Sequence, residues 1–167
     1  MKKNLLYIAL MAVVSLTSVS CNSELDIEKH GNLGSMDDFY TTDENVMQAT
    51  ASLYTEMRGM YFNWFFTKNL LSDDLWCGGG SRGDNAEMEK LNEYTFGTDC
   101  GMIQSLYSSL YGVIYKANLI IDKTEGDTQV MKRAIAEAKV FRAWAHFELV
   151  TLFGTAPSVL SIIRLAL

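Results

Sequence analysis

The chain is poor in proline, which interrupts helices, and in histidine and cysteine, which carry much enzyme chemistry. It has one proline, Pro157, two histidines, His30 and His146, and three cysteines, Cys21, Cys77 and Cys100. A single proline leaves long stretches in which no ring blocks a helix. The histidines make no two-histidine zinc motif, and the cysteine spacing matches no zinc pattern. Basic residues are scarce, 14 against 20 acidic ones, for a formal charge of −6 with no basic cluster. That argues against nucleic acid as a partner and against electrostatic adhesion to anionic lipid. Gly78, Gly79 and Gly80 lack the Gly-Lys-Ser/Thr ending of a phosphate loop. Asp73, Asp74 and Asp84 lack EF-hand spacing, so a solvated loop is the better reading, and no metal or cofactor is expected. No long strand-like alternation is present, which favours helices.

What is present begins with a leader. Lys2 and Lys3 form a short basic region, and residues 5–16 carry no charge. A spanning helix needs about 20 apolar residues, so this run reads as a secretory signal, with a membrane span the weaker alternative. Ser18-Val19-Ser20-Cys21 follows and is similar to a bacterial lipobox. In that chemistry the Cys21 thiol takes a diacylglycerol, and the peptidase cuts before it. Ser18 stands where leucine is more usual, and plain cleavage with Cys21 a bystander is the alternative. Acyl chains contribute roughly 0.8 kcal/mol per buried methylene, so two or three on one cysteine hold a protein firmly to a membrane. In an exported protein Cys77 and Cys100 could pair and close a loop. Two free, partly buried thiols are the other reading.

The expected organisation is a lipoprotein signal peptide over residues 1–20, a polar lipidated tether over 21–40, a helical domain over 41–157 and an apolar tail over 158–167. Thr41-Thr42-Asp43-Glu44 has the form of a capping box opening a helix. Val46, Thr50, Leu53, Tyr54 and Met57 then recur at helical spacing. A second apolar run covers residues 64–71. The glycine-rich stretch from Trp76 to Asp84 predicts a loop, continuing to about Cys100 with a short helix near residues 86–91. Ile103, Leu106, Leu110, Ile114, Ala117 and Ile121 predict the next helix. Gly112 sits inside it at a cost of about 1 kcal/mol, which close approach of another helix would compensate. Ala134, Ala138, Phe141, Ala145, Leu149 and Leu152 predict the last, closed by Phe153-Gly154 with Pro157 beyond. Ala138, Ala143 and Ala145 suit tight helix packing. The fold class is all-α: antiparallel helix hairpins of tetratricopeptide-like type, without a clean internal repeat.

Three segments together carry a resemblance. They are Cys21-Asn22-Ser23-Glu24-Leu25-Asp26-Ile27, the stretch from Leu106-Tyr107 to Tyr115-Lys116-Ala117-Asn118-Leu119-Ile120-Ile121, and Ala136-Glu137-Ala138-Lys139-Val140-Phe141-Arg142-Ala143-Trp144-Ala145-His146-Phe147-Glu148-Leu149 continuing to Phe153-Gly154 and Pro157. In that order they resemble the amino-terminal region of SusD-like (RagB/SusD) nutrient-binding lipoproteins. The resemblance covers roughly residues 21–157. It implies a surface-exposed outer-membrane lipoprotein that is not an enzyme. It also implies an oligosaccharide or peptide ligand, and a TonB-dependent SusC-like barrel as partner. Family members are much longer. The apolar end of the chain reads as a truncation, which predicts marginal stability and exposed apolar surface on the helices. The alternative is a small helical envelope lipoprotein with a scaffold role and no nutrient binding. An exported glycosidase using Asp73, Asp74 or Glu87 stands lowest, because no carboxylate pair across a cleft is evident.

Trp76 is the residue expected to touch ligand. A tryptophan on a glycine-rich loop can lay its face against the C–H groups of a sugar ring, or fold back as a core anchor. Arg82 and Asp84 would hydrogen-bond hydroxyls. Arg82-Gly83-Asp84 also spells an integrin-type tripeptide, read as chance. Glu137 and Arg142 are five residues apart and share no helix face, so each is expected to pair with a neighbouring helix. His146 reads as a packing or surface residue.

Overall fold

The computed structural model describes residues 36–160. The stretch read as a signal peptide, Cys21, His30, the stretch read as tether up to residue 35 and the tail from 161 onward lie outside the described residues. Five helices and no strand occur among those described. They are α1 (Met36–Phe39), α2 (Asp43–Leu70), α3 (Ala86–Asn92), α4 (Gly101–Lys123) and α5 (Gln129–Phe153). The described fold therefore starts within the stretch read as tether, and Phe39 and Tyr40 pack on its core.

Helix α2 starts one residue later than the capping-box reading. Thr42, not Thr41, is the N-cap, its hydroxyl accepting from the Asn45 amide at 3.3 Å. Thr41 instead donates to the Asp38 carbonyl. Asp43 and Glu44 in the first turn and Lys68 in the last complement the helix dipole. The two apolar runs separated in the sequence reading are one helix of 28 residues, since no glycine pair or proline divides them. Val46, Ala49, Leu53, Met60 and Leu70 mark its buried stripe. Helix α5 begins at Thr128, which accepts from the Met131 amide at 3.1 Å. It ends at Gly154, whose φ of +72° suits a residue without Cβ.

Three helices make the frame. Glu56 pairs with Lys116 and Asn63 bonds Ser105, so α2 and α4 run antiparallel. Asn118 meets Arg142 and Tyr107 meets Phe153, so α4 and α5 run antiparallel as well. Helices α2 and α5 are then parallel, and Thr128 Oγ1 donates to Asp43 at 2.6 Å to join their starts. Successive antiparallel helices with the first and third parallel is the arrangement expected of tetratricopeptide-type hairpins. Leu53, Leu110, Val113, Ala138, Ala145 and Leu149 are wholly removed from water between them. Ala143 is exposed, so it takes no part in that close packing. A Cβ at Gly112 would meet nothing within 4 Å, so no helix approaches it closely and the expected compensation is absent. Tyr54, Tyr61 and Phe62 on α2 and Val140, Phe147 and Val150 on α5 stand exposed.

The chain after α5 folds back along the frame. Tyr111 donates to the Pro157 carbonyl at 3.0 Å, Asn118 to that of Val159 at 3.3 Å and Arg142 to that of Leu160 at 2.8 Å. Burial and the hydrogen bond with Tyr107 push the Tyr111 hydroxyl up to about 12. A second, smaller core of Leu70, Leu91, Cys100 and Met102 sits where the α2–α4 connection returns, with α3 over it.

Candidate functional site: the glycine-rich loop

Residues 76–84 leave the end of α2 and carry Trp76 into solvent, with 79% of its surface exposed. Of the two fates open to that tryptophan, platform or core anchor, the structure has the exposed one. A shallow depression of about 290 Å³ lies beside it, lined by Cys77, Gly79, Ser81, Arg82, Glu89 and Glu93 among others. Arg82 reaches Glu93 at 2.8 Å while its side chain stays 78% exposed, so the guanidinium is oriented yet still faces water.

Asp84 is engaged within the loop itself. One carboxylate oxygen accepts from the Ser81 amide at 3.0 Å and the other from the Ser81 hydroxyl at 2.8 Å. These bonds hold its pKa below the ordinary aspartate value. Its carboxylate also lies where a side chain on Gly79 would be, a Cβ there falling 2.9 Å from Oδ2. Asp84 thus organises the loop. Glu89 accepts from the Gly83 amide at 2.6 Å, and Asn92 from the Cys77 amide at 3.0 Å. Gly83, at φ +96°, turns the chain through the left-handed region. Polar side chains on α3 therefore hold both ends of the loop, and the site needs α3 in place.

Helix α3 is held in turn by Glu87. Helix α4 begins at Cys100, whose side chain makes no cap hydrogen bond. Glu87 supplies the cap from outside, accepting from the Gly101 amide at 2.9 Å and the Met102 amide at 3.1 Å. A carboxylate at a helix start also matches the dipole. Glu87 is thereby engaged in holding α3 against the start of α4. Cys77 and Cys100 are free thiols, one half-buried and one buried, both in the small second core. The disulfide that the sequence admitted is not formed. No group of three or more histidine, cysteine or acidic side chains able to hold a metal occurs among the described residues.

Sequence reasoning missed Glu148 as a polar group that joins the helices. Glu148 is buried between α2 and α5, its side chain 4% exposed, and accepts from Trp64 Nε1 and Lys68 Nζ, both at 2.9 Å. Its position on the inner stripe of α5, one residue before Leu149, was the signal. Glu137 meets Tyr54 of α2 at 3.1 Å and Arg142 meets Asn118 of α4 at 2.8 Å, so both pair with a neighbouring helix as expected. His146 is half-buried against the Val159 carbonyl, a packing position.

With this geometry in hand, residues 25–162 match the profile of a SusD-like family described as starch-binding and associating with the outer membrane. The chain belongs to the SusD-like family. Among curated proteins it is similar to SusD-like protein P2 of Formosa agariphila, 29% identical over 88% of this chain and 30% of that protein. SusD-like protein P25 of the same organism is 29% identical over 71% of this chain and 25% of that protein. A SusD-like protein of Bacteroides ovatus is 29% identical over 92% of this chain and 28% of its own length. The chain thus spans 30% or less of the length of these curated relatives. No solved structure matches. In this SusD-like chain no helix among the described residues is long and apolar enough to cross a membrane.

Proposed function

We propose that this SusD-like chain is an exported lipoprotein, anchored to the outer membrane through Cys21, that binds glycan for uptake without transforming it. The observation that carries the ligand part is Trp76, an indole held out in solvent beside Arg82 on a loop tied down from α3. A ring face offers apolar contact to sugar C–H groups, and the guanidinium offers donors to hydroxyls. A loop ordered before the ligand arrives loses little entropy on binding. The family description supports a starch-type glucan as the first ligand to try. A TonB-dependent SusC-like barrel is the partner this reading requires, since a surface binder needs a route through the membrane for its cargo. Lipid on Cys21 would place the tethered domain at that membrane.

Two measurements on cells and purified protein test the reading. Labelled palmitate should enter the wild type and not Cys21→Ser, and the wild type should fractionate with the outer membrane. In native gels containing soluble starch, xylan or other polysaccharides, the protein should be retarded in at least one. A chain that takes up no lipid, or passes every such gel unretarded, contradicts the corresponding half of the proposal.

A further inference from the structure

We infer a second carbohydrate-contact subsite between the first halves of α2 and α5, at Tyr54, Arg133 and Glu137. It rests on the glycan-binding reading above and adds a place the sequence did not single out. A depression of about 460 Å³ opens there, larger than the one beside Trp76 and within the range of small-ligand clefts. Met47, Ala51 and Val130 give it an apolar lining, and three polar groups meet at its rim. Tyr54 donates to Glu137 at 3.1 Å, and Arg133 Nε donates to the other oxygen of the same carboxylate at 2.7 Å.

The chemistry of that rim selects the ligand class. The ion pair is neutral as a unit, so it favours neither an anion nor a cation. It still offers hydrogen bonds of both kinds: a guanidinium with five N–H donors, one of them used toward Glu137, and a carboxylate with lone pairs to spare. Arg133 is 79% exposed, so its outer N–H groups are open to a ligand. Tyr54 packs edge-on against Phe141 at 4.8 Å, which fixes the ring while about half of the residue (53%) stays exposed. An apolar floor, a fixed aromatic and paired donors and acceptors suit a neutral ligand that is apolar on its faces and hydroxylated at its edge. A sugar ring is such a ligand. From Tyr54 to the end of α2 the helix rises roughly 24 Å. A short oligosaccharide would therefore occupy this place or the Trp76 loop, and only a long glucan would have the reach to engage both.

The test uses the full chain with neutral maltohexaose and soluble starch, alongside an array of other neutral glycans. Wild type, Trp76→Ala, Arg133→Ala and Tyr54→Ala are titrated calorimetrically against whichever glycan the wild type binds. Arg133 is at the surface, so its variant should melt like the wild type and decides the matter even if Tyr54→Ala is destabilised. A loss of affinity of about fivefold or more in Arg133→Ala, with unchanged melting, is the expected result. Wild-type affinity in Arg133→Ala overturns this subsite, and a wild type that binds glycan leaves the glycan reading standing. A wild type that binds no glycan on the array overturns both.

Discussion

The three-helix frame and the loop between α2 and α4 lie at opposite extremes of how a chain can be held. In the frame, Leu53, Leu110 and Leu149 meet with no surface left to water, and order comes from apolar area taken out of solvent. In residues 76–84 almost nothing is buried, and order comes from carboxylates and an amide oxygen accepting from backbone N–H groups: Asp84 from Ser81, Glu89 from Gly83, Asn92 from Cys77. The first kind of hold is strong and indifferent to pH. The second is weaker and sensitive to pH, and it leaves side chains such as Trp76 free to meet a ligand. A rigid frame presenting a polar-stapled loop is a sound way to build a binding surface.

The largest effect should come from the frame. Leu110→Ala removes a side chain with no exposed surface and should cost about 2–5 kcal/mol in a denaturant melt. A loss under about 1 kcal/mol would mean that the frame relaxes around the cavity and is looser than described.

Asp84→Ala should do the reverse, changing global stability by less than about 1 kcal/mol while freeing the loop. Trypsin cleavage after Arg82 should become faster, with the remaining sites cut as in the wild type. Equal cleavage at Arg82 would show that the carboxylate does not hold the turn.

The pH dependence sharpens the contrast. Donation from Ser81 lowers the Asp84 pKa in the fold, against about 3.9 in an unfolded chain. A depressed carboxylate contributes order that is fully present above the unfolded value and is lost as pH falls through the folded one. The turn between Ser81 and Asp84 should therefore stay formed through the mildly acidic range and be lost only below the usual aspartate pKa. The Asp84 carboxyl carbon, followed by NMR, should titrate below the ordinary aspartate value. A midpoint at or above that value would contradict the loop geometry.

The smallest effect returns to the frame. Gly112 has helical neighbours and open space around its Cβ direction. Gly112→Ala should raise stability by about 0.5–1 kcal/mol, read as a higher melting temperature. A lower one would restore the close helix approach that the structure lacks.

The same contrast governs what could be read from sequence. The frame was legible because its signals are periodic: Ala134, Ala138, Phe141, Ala145 and Leu149 recur at helical steps and are the residues that pack. The end of α5 was legible because Gly154 and Pro157 act locally. The site was legible only in part. Trp76, Arg82 and Asp84 stood out by type and by the glycines around them, but the hold that Asp84 has on Ser81 did not. That hold depends on Ser81 and Gly79 folding toward Asp84, and no spacing rule encodes that. The cap that Glu87 gives α4 spans 14 residues, and the Glu148 bond to Lys68 spans 80. The inner-stripe position of Glu148 marks it as buried, but neither partner can be read from local spacing. Thr41 and Thr42 are both good caps by composition, and the hydrogen bond to Asn45 decides between them.

The most direct test of the account is the affinity of Trp76→Ala for the glycan that the wild type binds, measured by titration calorimetry. The exposed indole (79%) is taken to be the platform of a preformed site, so its removal should weaken binding at least about tenfold while the melting curve stays put. Unchanged affinity in Trp76→Ala, with the wild type bound to glycan, would contradict the loop as the site and move recognition elsewhere on the chain.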